Sequence, residues 1–212
     1  MSSPEFEHPK PFTGEIDWSP ETAGLKDFSA RTREALHSNG YETFILNGLY
    51  FNDILSAEGV QEIAEIFAGQ GYDFAKLRTM QSEVAYLASF FLPGSGSGTI
   101  QQEDIKLREY NSDLANIDGL ESIRVCRGNL ADYLAIIARF TDQRLHPKGL
   151  AYHIRTSTTD SEYGGTKGLE ILFKGIDYSE GDAARRPKFN ILSVSRYVDK
   201  KDIRIAPIII PA

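Results

Sequence analysis

The chain has 212 residues, 41% hydrophobic and 25% charged, with a formal net charge of −7. That balance suits one large or two small globular domains with a buried core and argues against wholesale disorder. The acidic charge excludes a broad nucleic-acid or anionic-membrane surface, which needs concentrated Lys and Arg, and a single cysteine excludes internal disulfides and thiolate zinc clusters.

Residues 1–18 read as a flexible lead-in, because Pro4, Pro9 and Pro11 prevent regular helix. The segment lacks the basic start and apolar stretch of a secretion signal. No apolar run approaches the ~20 residues that cross a bilayer. The chain is therefore expected to be soluble, either cytoplasmic or exported without a signal peptide into a target cell, with no membrane or nucleic-acid partner.

Residues 19–92 are expected to be mainly helical. Ser19-Pro20-Glu21 is a helix start, and Leu25, Phe28 and Leu36 form a stripe that ends near Asn39-Gly40. Residues 41–51 suit a strand or a short helix. Ser56 caps a second helix that stops near Gly69. Phe74, Leu77, Val84, Leu87 and Phe91 predict a third helix over about 73–92. Residues 93–99, Pro-Gly-Ser-Gly-Ser-Gly-Thr, read as a linker by composition and lack the ending of a phosphate loop.

The strand-rich part covers 100–212. An acidic helix is expected from about Gln102 to Ile117, with its charges on a solvated face. A strand follows at Ile123–Cys126, with Cys126 read as a small buried hydrophobe. Asn129 caps a helix through Tyr133, Ile136, Ile137 and Phe140. Strand patterns then cover 150–156, 169–174, 189–194 and 203–210, the last read as one final strand. Helices first and strands later is the α+β order.

The chemistry begins with absences. There is no nucleophile elbow, no kinase set and no metalloprotease helix pair, and the four histidines show no metal spacing. What remains is Arg127-Gly128 at the end of one strand and Thr156-Ser157-Thr158 near the end of another. An arginine fork on a rigid element is suited to gripping phosphate, and neighbouring hydroxyls can orient a sugar or lock the arginine. The plainer readings are that Arg127 pairs with a surface acid, that Thr156–Thr159 are ordinary strand residues, and that His153 is structural.

Ile123-Arg124-Val125-Cys126-Arg127-Gly128 resembles the arginine strand of mono-ADP-ribosyltransferases of the Arg–Ser–Glu type, with Cys126 in the usual aromatic position. Thr156-Ser157-Thr158 resembles the Ser-Thr-Ser motif of that family. Glu170-Ile171-Leu172-Phe173 is similar to its glutamate strand, with Gly168 where a first glutamate usually stands and only 13 residues between Ser157 and Glu170. Glu180 and Asp182 are a second acidic candidate.

The resemblance implies an α+β fold, with an N-terminal helical region packed on a split β-sheet core and NAD bound in the cleft between two small sheets. It implies an NAD-dependent glycosyltransferase that modifies a protein target, in the manner of a bacterial toxin or virulence effector with an immunity protein or chaperone as partner. By that resemblance Arg127, Gly128, Ser157 and Thr158 bind NAD, Tyr163 or Tyr178 stacks on nicotinamide, and Glu170 is the catalytic acid that steadies the developing ribosyl cation. A non-catalytic module on the same fold and an NAD glycohydrolase are the alternatives.

Overall fold

The computed structural model describes residues 26–50, 77–87, 89–96, 98–143, 152–159, 167–177, 186–195 and 203–212. The lead-in, the helix start at Ser19 and the helix capped by Ser56 lie outside the described residues, as do Tyr163, Tyr178, Glu180 and Asp182.

Helix α1 spans Ala30–Ser38. Ser29 caps it, its hydroxyl accepting from the Thr32 N–H at 3.0 Å, and Asn39 followed by Gly40 at φ 81° ends it. It starts later than the sequence pattern suggests. Ser29 is extended, and the Phe28 N–H donates to the Glu83 carboxylate at 2.8 Å instead of entering a helical ladder.

Strands β1 (Tyr41–Asn47) and β2 (Gln81–Leu87) follow and pair antiparallel. The expectation of a helix across 73–92 is corrected here, because its described part contains β2. The apolar spacing fits a helix, yet Val84, Ala85 and Tyr86 are all buried. Three consecutive buried residues suit a central strand covered on both faces. Among the described residues the N-terminal part supplies α1 and half of a sheet.

The later elements fall near their expected places: α2 (Ile100–Ala115), β3 (Ile123–Arg127), α3 (Leu130–Gln143), β4 (Tyr152–Thr159), β5 (Lys167–Asp177) and β6 (Arg186–Ser195). The tail differs. It forms two strands, β7 (Ile203–Arg204) and β8 (Pro207–Pro211), which join different sheets.

Among the described residues the strands form two four-stranded sheets, so the fold is α+β. Sheet 1 has the order β1-β2-β8-β3 and sheet 2 the order β6-β5-β4-β7. Neighbours are antiparallel except β4 and β7. Sheet 1 is covered on both faces. Phe28 and Leu36 at α1, with Leu114 of α2, pack with Ala85, Ile123 and Ile209 on one side. Leu130, Leu134 and Ile137 of α3 pack with Val84, Tyr86 and Ile208 on the other. Ile154 and Ile171 of sheet 2 join that second cluster, so α3 lies in the core shared by both sheets. No described helix is long and apolar enough to cross a membrane.

The passage between the sheets, Ile205-Ala206, is pinned from three sides. The Leu92 N–H donates to the Ile205 carbonyl at 2.8 Å, and the Ile205 N–H donates to Ser95 Oγ at 3.1 Å. The Tyr133 hydroxyl donates to the Ala206 carbonyl at 2.7 Å. The described residues of the stretch 93–99, expected as a linker or loop, form a loop with fixed partners. Ser95 is buried, the Gly98 carbonyl accepts from Arg155, and Thr99 caps α2 in a reciprocal box with Gln102. Composition permitted flexibility, but these partners hold the segment against the core.

Gly128 joins β3 to α3 in tight quarters. A Cβ there would collide with Cδ1 of Ile208 and come within 3.2 Å of Cβ of Asp132 and 3.3 Å of the Tyr133 ring. The Gly128 N–H donates to the Tyr133 hydroxyl at 3.1 Å. Beside it, the Asp132 carboxylate accepts from the Met80 N–H at 2.8 Å and the Asn129 N–H at 2.7 Å, while Asn129 Oδ1 accepts from the Asp132 N–H. Asp132 thus caps α3 and ties it to the start of β2. Burial pushes its carboxyl up to about 6 from the ordinary 3.8, against the smaller pull of its two N–H donors.

Two outcomes are expected. Gly128→Ala lowers stability in urea denaturation by about 1–3 kcal/mol through overpacking, and adding Ile208→Val, which removes the colliding methyl, restores part of the loss. An unchanged midpoint in the single variant would refute the packing account. For Asp132, a raised native pKa means that its stabilising contribution is complete below the unfolded value near 4 and is lost as pH climbs through about 6. Asp132→Asn is therefore expected to flatten the stability-versus-pH curve over that window, by an amount on the order of 3 kcal/mol.

Candidate functional site

The chain's largest concentration of described buried charge lies where α2, β3, β4 and β5 converge, and it starts from a helix cap. Thr99 opens α2, which places Glu103 and Asp104 in the opening turns, where the helix dipole favours carboxylates. Glu103, Leu107 and Leu114 are the buried residues of this helix, on one i, i+4, i+11 stripe. Glu103 therefore points inward with the leucines. The expectation that acids of residues 103–113 form a solvated face fails at Glu103, which is 3% exposed.

Two arginines meet it. Arg155 of β4 donates from Nη1 to Glu103 Oε1 at 2.9 Å and to the Gly98 carbonyl at 3.0 Å. Its Nε donates to Glu170 Oε1 at 2.9 Å. Arg155 and Glu170 are direct cross-strand partners of the antiparallel β4–β5 pair, which explains why they meet. Arg127, at the end of β3, donates from Nη2 to Glu103 Oε2 at 3.1 Å and lies 2.9 Å from Asp104 Oδ1. His153 Nδ1 stands 3.7 Å from the second oxygen of Glu170. A continuous chain of charge thus runs from Glu170 through Arg155, Glu103 and Arg127 to Asp104, with His153 beside its first member.

Burial dominates its electrostatics. Loss of solvent raises the Glu103 pKa, and the attraction of Arg155 and Arg127, which pulls it down, does not fully offset this. Two guanidinium groups face three carboxylates, so the cluster is formally one charge short of neutral.

The hydroxyl-rich run lies beside this network. The β4–β5 register shifts between Arg155 and Thr159, a bulge that turns Thr156-Ser157-Thr158 away from regular pairing. The Ser157 N–H donates to the Gly128 carbonyl at 2.8 Å, joining the irregular stretch of β4 in sheet 2 to the residue that follows β3 of sheet 1. Thr158 Oγ1 accepts from the Leu130 N–H at 2.9 Å and so helps cap α3. Ser157 itself is exposed.

The anticipated site residues are thereby sorted. Arg127, Gly128, Ser157 and Thr158 come together at the junction of the sheets. Glu170 is reached from Arg127 through Arg155 and Glu103, and is 2% exposed. Tyr163 lies outside the described residues. Arg127 does pair with acids, and Gly128 and Thr158 each have a structural duty. Cys126, expected to be buried, is partly buried and packs against the core, with loss of solvent pushing its thiol up to about 11.

Two members escaped the sequence reading. Arg155 stood unremarked at the head of the hydroxyl run, and Glu103 was counted as surface charge. The signal for Glu103 was available, since it occupies the apolar stripe that continues through Leu107 and Leu114. Arg155 carried no such signal until the hairpin register was known.

Comparison of the chain with protein-family models, with curated proteins and with solved structures finds no match.

Arg155 bridges two buried carboxylates, so Arg155→Met should leave both uncompensated. An expected loss of about 3–5 kcal/mol follows, measured by chemical denaturation. Adding Glu103→Gln and Glu170→Gln to that background should restore part of it. A loss under about 1 kcal/mol in the single variant would mean that the bridge is energetically idle.

Proposed function

We propose that this chain is an NAD-dependent mono-ADP-ribosyltransferase that modifies a protein target. The single observation that supports the reading is the 2.8 Å bond from the Ser157 N–H to the Gly128 carbonyl. It sets the arginine strand and the serine-bearing bulge side by side where the two sheets meet. The described contacts of Arg127 all run through Nη2, which is compatible with an anion on the Nε and Nη1 side of the fork.

In this reading Arg127 holds a phosphate oxygen of NAD, and the exposed Ser157 hydroxyl orients the nearby ribose. The bond between the nicotinamide nitrogen and ribose C1′ breaks, and its electron pair leaves with nicotinamide. A nucleophilic side chain of the target bonds to C1′ and gives up its proton. Glu170 steadies the cationic ribose by electrostatic preorganisation.

A second reading, an NAD-binding module without catalysis, is favoured by one feature. Glu170 is 2% exposed, with one oxygen bonded to Arg155.

Incubation with NAD and measurement of free nicotinamide separates the two. A transferase releases nicotinamide, and Arg127→Lys, which keeps charge but loses the planar fork, lowers the rate by about tenfold or more at unchanged melting temperature. NAD binding without release establishes the module. Neither binding nor release refutes both. Release that proceeds equally without any protein acceptor identifies water as the acceptor.

A further inference from the structure

We propose that Asp104 is a built-in competitor of a phosphate ligand at Arg127, a carboxylate of the chain itself that holds Nη2 and, by its charge, opposes an anion on the Nε and Nη1 side of the same guanidinium. The inference rests on the NAD-site reading and adds a control element to it. Its ground is the asymmetry between the two acids that share Arg127 Nη2. Glu103 is buried, is also bonded to Arg155, and belongs to the apolar stripe of α2. It is a fixed anchor. Asp104 is the next residue on the helix, its side chain is 49% exposed, and its described ion pair is with Arg127 alone, at 2.9 Å. Its half-exposed carboxylate borders water, into which a rotamer change can carry it.

The charge balance gives this contact a consequence. With Asp104 in place, three carboxylates surround two guanidinium groups, and an incoming phosphate meets a cluster with an excess of negative charge. With its charge removed, the remaining groups balance and the outer side of Arg127 is left to the ligand. Two anions beside one guanidinium repel and compete strongly at such separations when water is partly excluded. Asp104 therefore weakens anions in general and favours a ligand whose other contacts, such as those of a dinucleotide, outweigh the competition. It also holds Arg127 in position while the site is empty.

The test is calorimetric titration of the full chain with ADP-ribose at fixed ionic strength. Four proteins are compared: wild type, Asp104→Asn, Asp104→Asn with Arg127→Ala, and Glu109→Gln, which removes the same charge from an exposed position of α2. The expected result is affinity for Asp104→Asn at least fivefold tighter than wild type, wild-type affinity for Glu109→Gln, and no binding for the double variant. Binding by Asp104→Asn alone also supports the proposal. If wild type binds and Asp104→Asn binds equally or more weakly, the competitor role is overturned and the NAD-site reading stands. If neither protein binds at millimolar ligand, the NAD-site reading fails, and the competitor role fails with it.

Discussion

Arg155 lies almost out of reach of water, with its side chain 4% exposed, and its guanidinium bonds to a glutamate on each side and to a backbone carbonyl. An arginine cannot shed its proton to escape burial, so the surroundings must supply negative charge. Glu170 comes from the next strand, Glu103 from a helix some fifty residues earlier in the chain, and the Gly98 carbonyl from the segment before that helix. This requirement brings sheet 2, α2 and the 93–99 segment to one point. Arg127 then attaches sheet 1 to the same glutamate. Once both arginines are committed to Glu103, little freedom remains in how the α2 start and the two sheets meet.

The same constraint gives the candidate site its character. Phosphate recognition calls for an arginine held rigidly with part of its fork turned outward. Glu103 provides the rigidity, and the half-exposed Asp104 contact is the part that can yield. Catalysis calls for an acid near the sugar, and there the geometry is less generous, because Glu170 is enclosed by Arg155 and His153. In the proposed reading, binding and bond cleavage would draw on the same side chains with unequal ease. Gly128 shows a related economy. Its lack of a Cβ is required by the packing of Ile208 and Tyr133, so a glycine beside a candidate ligand-binding arginine has a structural cause of its own.

Legibility in the sequence followed the range of the forces involved. Capping chemistry is local, and the start of α3 was readable from Asn129, whereas Thr99, which caps α2, was read as the end of the Gly/Ser stretch. The runs expected at 123–126, 150–156, 169–174 and 189–194 were readable as strands, since alternation and β-branching act within the run. The segment around 81–87 was not readable. Its apolar residues satisfied a helical period, and only pairing with β1 and β8 showed that consecutive residues are buried from opposite faces. The tail at 203–211 looked like one apolar strand, because no local signal marks the point at which a chain leaves one sheet for another.

For the candidate site the division is similar. Sequence alone determined the identities and order of Arg127, Gly128, Ser157, Thr158 and Glu170, and the strand segments that carry them, because these depend on residues a few positions apart. Tertiary structure alone decided that Arg155 and Glu103 stand between Arg127 and Glu170, that Asp104 occupies part of the Arg127 fork, and that the Gly/Ser stretch is held by Ile205 and Arg155. Each of those facts depends on charges and backbone groups from distant segments finding one another where water is excluded, and Coulomb and hydrogen-bond terms of that kind leave no period in a sequence.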